Sequence, residues 1–255
     1  MIAMLRKYGL ISAVLLSLVS CDVEPPVFGE GVAGQGSTLA RFTIAGDELY
    51  ILDGNSVRHF DISDPNQPLE GERITVDFPV QSIFNHNGYL YMSNVDGLNI
   101  YDLSNVDQPS FVVELTDIDA CTPIAFKDNY AFVGRRQGNE CGWTEEDQLA
   151  VLDFTNITSP TVVQIESGIS KIRTPYAVTV SGQALFVCEG GNGLRIFDTT
   201  DPTDLVQTGN NPSFQAFGLV PNGNNAIIKG EDGLYQYDIS NPQRIQFLSR
   251  IPYQN

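Results

Sequence analysis

Histidine and tryptophan are nearly absent from this chain of 255 residues: His59, His86 and Trp143 are all there is. The four cysteines, at 21, 121, 141 and 188, show no paired spacing. Together these scarcities argue against a Cys/His metal centre, so no resident metal or cofactor is expected. Basic residues are few as well: 14 Lys and Arg stand against 31 Asp and Glu, a formal net charge of −17. Such a surface repels phosphate backbones. No basic patch with interleaved aromatics offsets it, and nucleic-acid binding is not expected. Outside the first twenty residues no sustained 3.6-residue apolar period appears, which excludes a helical architecture. Disorder is excluded too, because 42% of the residues are hydrophobic and 10% aromatic.

The one continuous apolar run, "YGLISAVLLSLV", follows Arg6 and Lys7 and holds about a dozen residues, too few for a stable membrane span. It ends in Leu18, Val19, Ser20 and Cys21. This ending resembles the lipobox of bacterial lipoprotein signal peptides. The resemblance implies that 1–20 is a removed leader and that Cys21 is lipidated, with the membrane reached through the N-terminal lipid. Residues 21–38 then form the lipidated Cys and a Gly/Pro-rich tether. The expected location is the bacterial cell envelope, the outer membrane or cell surface rather than the inner membrane. The folded part is 39–255.

What is abundant is repetition. "HFDISDPNQP" (59–68) recurs as "IYDLSNVDQP" (100–109), "VLDFTNITSP" (151–160), "IFDTTDPTDL" (196–205) and "QYDISNPQRI" (236–245). The shared aspartates, Asp61, Asp102, Asp153, Asp198 and Asp238, are spaced by 41, 51, 45 and 40 residues. Each copy reads as four short β-rich runs separated by Gly, Asp and Asn, the signature of a propeller blade. The fold expected is all-β: a single five-bladed β-propeller of four-stranded antiparallel blades, closed by blade 1 packing on blade 5. Phe60, Tyr101, Leu152, Phe197 and Tyr237 are expected as apolar knobs between blades. Each neighbouring Asp is expected to accept backbone N–H groups in the following turn, aided by Ser63, Ser104, Thr155, Thr200 and Ser240.

The repeat grammar resembles the LVIVD-repeat family of bacterial β-propellers, most closely in "YLYMSNVDGLNIYDLSNVDQP" and "ALFVCEGGNGLRIFDTTDP". The first copy has Ser56-Val57 where the family has Gly-Leu, the third lacks that turn, and the fifth has Arg244-Ile245 in place of the second Pro. The resemblance implies the fold across 39–255 and no shared reaction.

Function is sought where the repetition fails. The third copy carries an insertion of about ten residues, "GRRQGNECGWTEEDQ" (134–148), on the face where the loops gather. It contributes Arg135, Arg136 and Trp143, residue types enriched in binding hot spots. Arg173, Tyr176 and Thr122 occupy matching entries to first strands and are candidates for the same rim. Cys121 and Cys141 belong on that face of blade 3 and are candidates for a disulfide pinning the insertion. A Cys141–Cys188 bridge is the rival, and Cys188 otherwise reads as a buried thiol. The preferred reading is a non-enzymatic binding or scaffolding module for a protein or glycan. A Ca²⁺-dependent lactonase- or esterase-like hydrolase, with Asp53, Asp96, Glu189 and Asp232 as ligands, is the alternative. So is a structural subunit of an envelope complex. No nucleophile and base pair is evident, so an enzyme is not expected.

Overall fold

In a computed structural model the described residues are 41–94, 96–116, 118, 122–137, 145–167 and 172–254. Cys21, Cys121, Cys141 and Trp143 lie outside them. Among them no helix is long and apolar enough to cross a membrane.

Five antiparallel sheets follow one another along the chain. Blade 1 is β1 (Phe42–Ala45), β2 (Glu48–Asp53), β3 (Ser56–Asp61), β4 (Leu69–Glu70) and β5 (Ile74–Thr75). Blade 2 is β6 (Ser82–His86), β7 (Tyr89–Ser93), β8 (Leu98–Asp102) and β9 (Ser110–Leu115). Blade 3 is β10 (Ile124–Lys127), β11 (Tyr130–Arg135), β12 (Gln148–Asp153) and β13 (Thr161–Ser167). Blade 4 is β14 (Ala177–Ser181), β15 (Ala184–Cys188), β16 (Leu194–Asp198) and β17 (Val206–Asn211). Blade 5 is β18 (Gly218–Asn222), β19 (Asn225–Lys229), β20 (Gly233–Asp238) and β21 (Gln246–Pro252). In every blade the strands pair in chain order; in blade 1 the outer strand is split, with β4 and β5 both on β3.

The expected corner chemistry is present at all five repeats. The amides of Ser63, Ser104, Thr155, Thr200 and Ser240 donate to Oδ1 of Asp61, Asp102, Asp153, Asp198 and Asp238 at 2.6–2.8 Å. Bonds from the side chain and the amide of that Ser or Thr hold these half-buried aspartates below the ordinary carboxylate range. Just after each corner in blades 2 to 5 the outer strand carries one extra residue: Val112, Val163, Thr208 and Leu248. Such a bulge bends and twists the outer strand. Blade 1 has Gly71 at this place, between the partners Glu70 and Ile74.

The core is four clusters, each filling the junction of two consecutive blades. Tyr50, Val57, Leu90 and Met92 join blades 1 and 2. Tyr91, Ile100, Phe126 and Val133 join blades 2 and 3, and Phe132, Val151, Leu185 and Val187 join blades 3 and 4. Phe186, Leu194, Ile228 and Tyr237 join blades 4 and 5. Alternation along a strand sends successive side chains to opposite junctions, which is why the middle strands are buried on both faces. The knobs Tyr101, Leu152, Phe197 and Tyr237 each pack toward the preceding blade.

The five blades are arranged as the expected β-propeller, but the expected packing of blade 1 on blade 5 is not found among the described residues. Among the described residues no cluster joins blade 5 to blade 1. Phe42 and Ile44 of blade 1 are 60% and 41% exposed, and Val220, Ile227 and Ile251 of blade 5 are 57%, 38% and 65% exposed. Phe60, the blade 1 knob, belongs to none of the clusters of described residues and lies under the Arg58 guanidinium, 4.8 Å from its ring centre.

Candidate functional site

The loop face between blades 3 and 4 is organised by two carboxylates. Glu189 follows β15 and is buried, with Arg195 of β16 against it. Arg195 Nε donates to Glu189 Oε1 and Nη2 to Oε2, each at 3.0 Å. A bidentate pair of this geometry offsets part of the cost of burying both charges. Arg195 Nη1 also donates to Gln207 Oε1 at 3.1 Å. Burial pushes the Glu189 carboxyl up, against the pull of Arg195 and of the Arg173 amide. That amide donates to Glu189 Oε1 at 2.7 Å. From the neighbouring blade, Asp147 Oδ2 accepts the Thr174 amide at 2.8 Å, and its Oδ1 accepts the Gln137 amide at 2.9 Å. Thr174 has a positive φ of 45°. The entry to blade 4, residues 172–176, is thus clamped from both sides, and its side chains are carried on a fixed backbone.

That clamp presents Tyr176, which is 38% exposed. Arg136 lies over its ring at 4.8 Å, and Phe217, from the entry to blade 5, meets it edge-on at 5.1 Å. Gly190, at φ +56°, leaves room for the Tyr176 ring, which a Cβ there would strike. Its backbone bridges Ala216, tying the blade 4 turn to the entry of blade 5. Arg173 reaches Asn192 Oδ1 at 3.5 Å.

Arg136, Arg173 and Tyr176, three of the rim residues expected from sequence, thus stand at one junction. Arg135 ends β11 opposite Gln148. Thr122 is buried beside Pro123, so its side chain is not part of the exposed rim. Trp143 and the Cys121–Cys141 pair lie outside the described residues, among which there is no disulfide. Cys188 is an unbridged, fully buried thiol, pushed up to about 12 by burial, which removes the rival Cys141–Cys188 bridge. Sequence reasoning missed Phe217 and the pairing of Glu189 with Arg195. The sequence signal for the pair was an acid and a base six residues apart, spanning one turn of an antiparallel hairpin.

The carboxylates considered as calcium ligands are dispersed. Glu189 is engaged by Arg195, Asp53 pairs with Arg73 at 2.9 Å, and Asp232 pairs with Arg250 at 2.6 Å. Asp96 sits in a turn built by Asn94, whose Oδ1 accepts the Asp96 amide. Three of these four carboxylates already face an arginine of their own blade. Among the described residues no three His, Cys, Asp or Glu side chains converge.

A model of the LVIVD repeat matches residues 175–211, which run from the Tyr176 entry through the whole of blade 4. The chain carries an LVIVD repeat. No curated protein matches the sequence. Among solved structures, a functionally unknown protein from Desulfotomaculum acetoxidans matches with TM-score 0.62 and 12% identity over 84% of this chain and 70% of its own. The β-propeller domain of Myceliophteria thermophila Cps50 (Swd1) matches with TM-score 0.52 and 15% identity over 81% and 70%. A computationally designed protein, Ika8, matches with TM-score 0.53 and 14% identity over 83% of this chain and 61% of its own. At these identities the likeness shows the fold. The chain spans 61–70% of the length of these structures.

Proposed function

We propose that the protein is a non-enzymatic binding module, held at the cell envelope by lipid on Cys21, that takes a protein or glycan partner on its loop face. The observation that carries this reading is the Arg136–Tyr176–Phe217 stack, mounted on a segment clamped by Asp147 and Glu189. Aromatic and arginine side chains on a rigid support lose little conformational freedom on binding, and both types are enriched among binding hot spots. The cationic edge from Arg136 and Arg173 stands out in a chain of net charge −17, and it favours a partner with acidic or sugar hydroxyl groups.

The test is capture from detergent-solubilised envelope and from a glycan array, with the lipidated chain as bait. Tyr176→Ala and Arg136→Ala each remove a hot-spot side chain, and a loss of capture of about 30-fold or more is expected from either. Val220→Ser, on the outward face of blade 5, serves as the control that leaves capture intact. Capture that survives both rim substitutions overturns the assignment. Cys21→Ser tests the anchor separately: the variant is expected in the aqueous phase on detergent partitioning.

A further inference from the structure

At the end of the blades opposite Tyr176, hairpin turns meet the repeat corners. Ser181, Ala184 and Asp198 are cross-strand neighbours there in blade 4, as Asn222, Asn225 and Asp238 are in blade 5. In blades 2 and 3, large side chains fill this end of the junction with the following blade. Tyr89 packs into the core that joins blades 2 and 3, and Tyr130 into the core that joins blades 3 and 4. His86 Nε2 bonds to the Asp128 carbonyl at 2.6 Å. Lys127 Nζ donates to the Thr199 carbonyl at 2.8 Å and to its Oγ1 at 3.0 Å. Each of these polar contacts ties one blade to the next.

Blade 4 has small residues at both places. The strand register puts Ala184 where blades 2 and 3 have Tyr89 and Tyr130, and Ser181 where they have His86 and Lys127. The side chains that fill the two preceding junctions are thus missing between blades 4 and 5, and a cleft of about 590 Å³ stands there. Small-molecule sites typically enclose about 300–1,000 Å³. Buried Ala184 and Ile239 give the cleft an apolar patch. Around it stand the neutral polar residues Gln183, Thr208, Asn224, Ser240, Asn241 and Gln243. Gln183, Asn224 and Gln243 are exposed, so their amides reach into the opening. Among the described residues Asp198 is the one charged group on the wall, and its Oδ1 accepts the Thr200 amide at 2.7 Å. The cleft is poor in charge although the chain carries a net charge of −17.

We propose that this cleft binds a neutral sugar unit, free or within a glycan chain. Amides and hydroxyls both donate and accept, as sugar hydroxyls require. The patch of Ala184 and Ile239 takes the C–H face of the sugar ring. An anionic ligand would meet Asp198 and no cation, and a cationic one a single carboxylate already engaged in its turn. A wholly apolar ligand would strip water from the amides without replacing the lost hydrogen bonds. The site lies at the opposite end of the blades from Arg136, Tyr176 and Phe217, and it does not depend on their role.

The experiment is titration of the ¹⁵N-labelled full chain with maltose, cellobiose and the corresponding hexasaccharides, followed by the side-chain amide resonances. The expected result is that the Gln183, Asn224 and Gln243 amides move with at least one of these sugars and saturate at one site per chain. Tighter binding of a hexasaccharide assigns the unit to a glycan chain, and equal binding assigns it to a free sugar. Ala184→Tyr, which refills the cleft as Tyr130 does in blade 3, is expected to abolish the shifts while unfolding stays cooperative. Should Ala184→Tyr not fold, Ser181→Lys takes its place, extending a side chain across the cleft as Lys127 does one junction earlier. Gln183→Ala and Asn224→Ala are each expected to weaken binding by about 5- to 10-fold, the size of a lost hydrogen bond. Three outcomes overturn the proposal: none of the four sugars moves these amides, the sugars move the resonances of Arg136, Tyr176 and Phe217 instead, or the filled variant binds as well as the parent chain.

Discussion

Phe186 and Ile227 occupy the same place in successive blades, in the second strand facing the following blade. Phe186 is fully buried and Ile227 is 38% exposed. The same contrast runs through the molecule. Tyr91 and Phe132, which also face a following blade, are buried to within 1%. Leu90 and Leu185, which face a preceding blade, are buried completely, while Leu49 of blade 1 is only half-buried. The junctions between consecutive blades are hydrophobic cores; the outward faces of blades 1 and 5 are surfaces. Blade 5 already has surface chemistry there, with Gln236 and Lys229 where blade 4 has Ile196 and Cys188. Blade 1 does not, since Phe42, Ile44, Leu49 and Ile51 all lie on its outward face. In a repeat array stability is carried by neighbour interfaces, so the contrast predicts where substitutions are felt.

The largest effect belongs to the junctions. Phe186→Ala removes a fully buried ring and is expected to cost about 3–5 kcal/mol in urea unfolding. Ile227→Ala, the same position one blade later, is expected to cost about 1 kcal/mol, clearly less than Phe186→Ala, because the removed group is smaller and 38% of the residue already lies in water. Equal costs would mean that blades 5 and 1 meet in solution and would abolish the distinction.

Charge pairs repeat the contrast at smaller scale. Glu189→Ala leaves Arg195 buried without its carboxylate, and a loss of about 3 kcal/mol is expected. Asp232→Ala breaks the pair with Arg250, in which both side chains are more than a third exposed, and a loss below about 1 kcal/mol is expected. Both are read by thermal unfolding. The Glu189 variant is also expected to lose partner capture, because the Arg173 amide loses its acceptor and the Tyr176 segment one of its two clamps.

The blades were legible because their corners repeat one piece of local chemistry, an Asp followed two residues later by Ser or Thr. Local hydrogen bonds survive translation from sequence to structure. Closure was not legible. Counting five repeats fixes the number of blades but not the angle between them, which is set by side-chain volumes at the junctions. The rim was half legible. Arg136 was marked by the insertion and Tyr176 by its matching position, but Phe217 belongs to an entry of ordinary length and only the fold brings it to Tyr176. Glu189 reads from sequence as a candidate calcium ligand, because its partner Arg195 looks like any strand residue until the register of β15 and β16 is known.

The corners supply the smallest and most distributed effect. Asp61, Asp102, Asp153, Asp198 and Asp238 are all held below the ordinary aspartate value by bonds from the Ser or Thr two residues on. A carboxyl with a depressed folded-state pKa adds stability that is fully present above its unfolded-state value, near pH 4, and is lost as the pH falls through the folded-state value. Melting temperature is therefore expected to hold steady down to about pH 5 and to decline below about pH 4. Asn at a corner keeps an oxygen to accept the turn amide but does not titrate. Replacing Asp102, Asp153 and Asp198 together by Asn is expected to lower stability slightly near neutral pH, where the charged acceptor is the stronger one. The same change should flatten the acid limb. An acid limb unchanged in the triple variant would assign the acid sensitivity to other carboxylates, leaving the corners as turn formers without electrostatic weight.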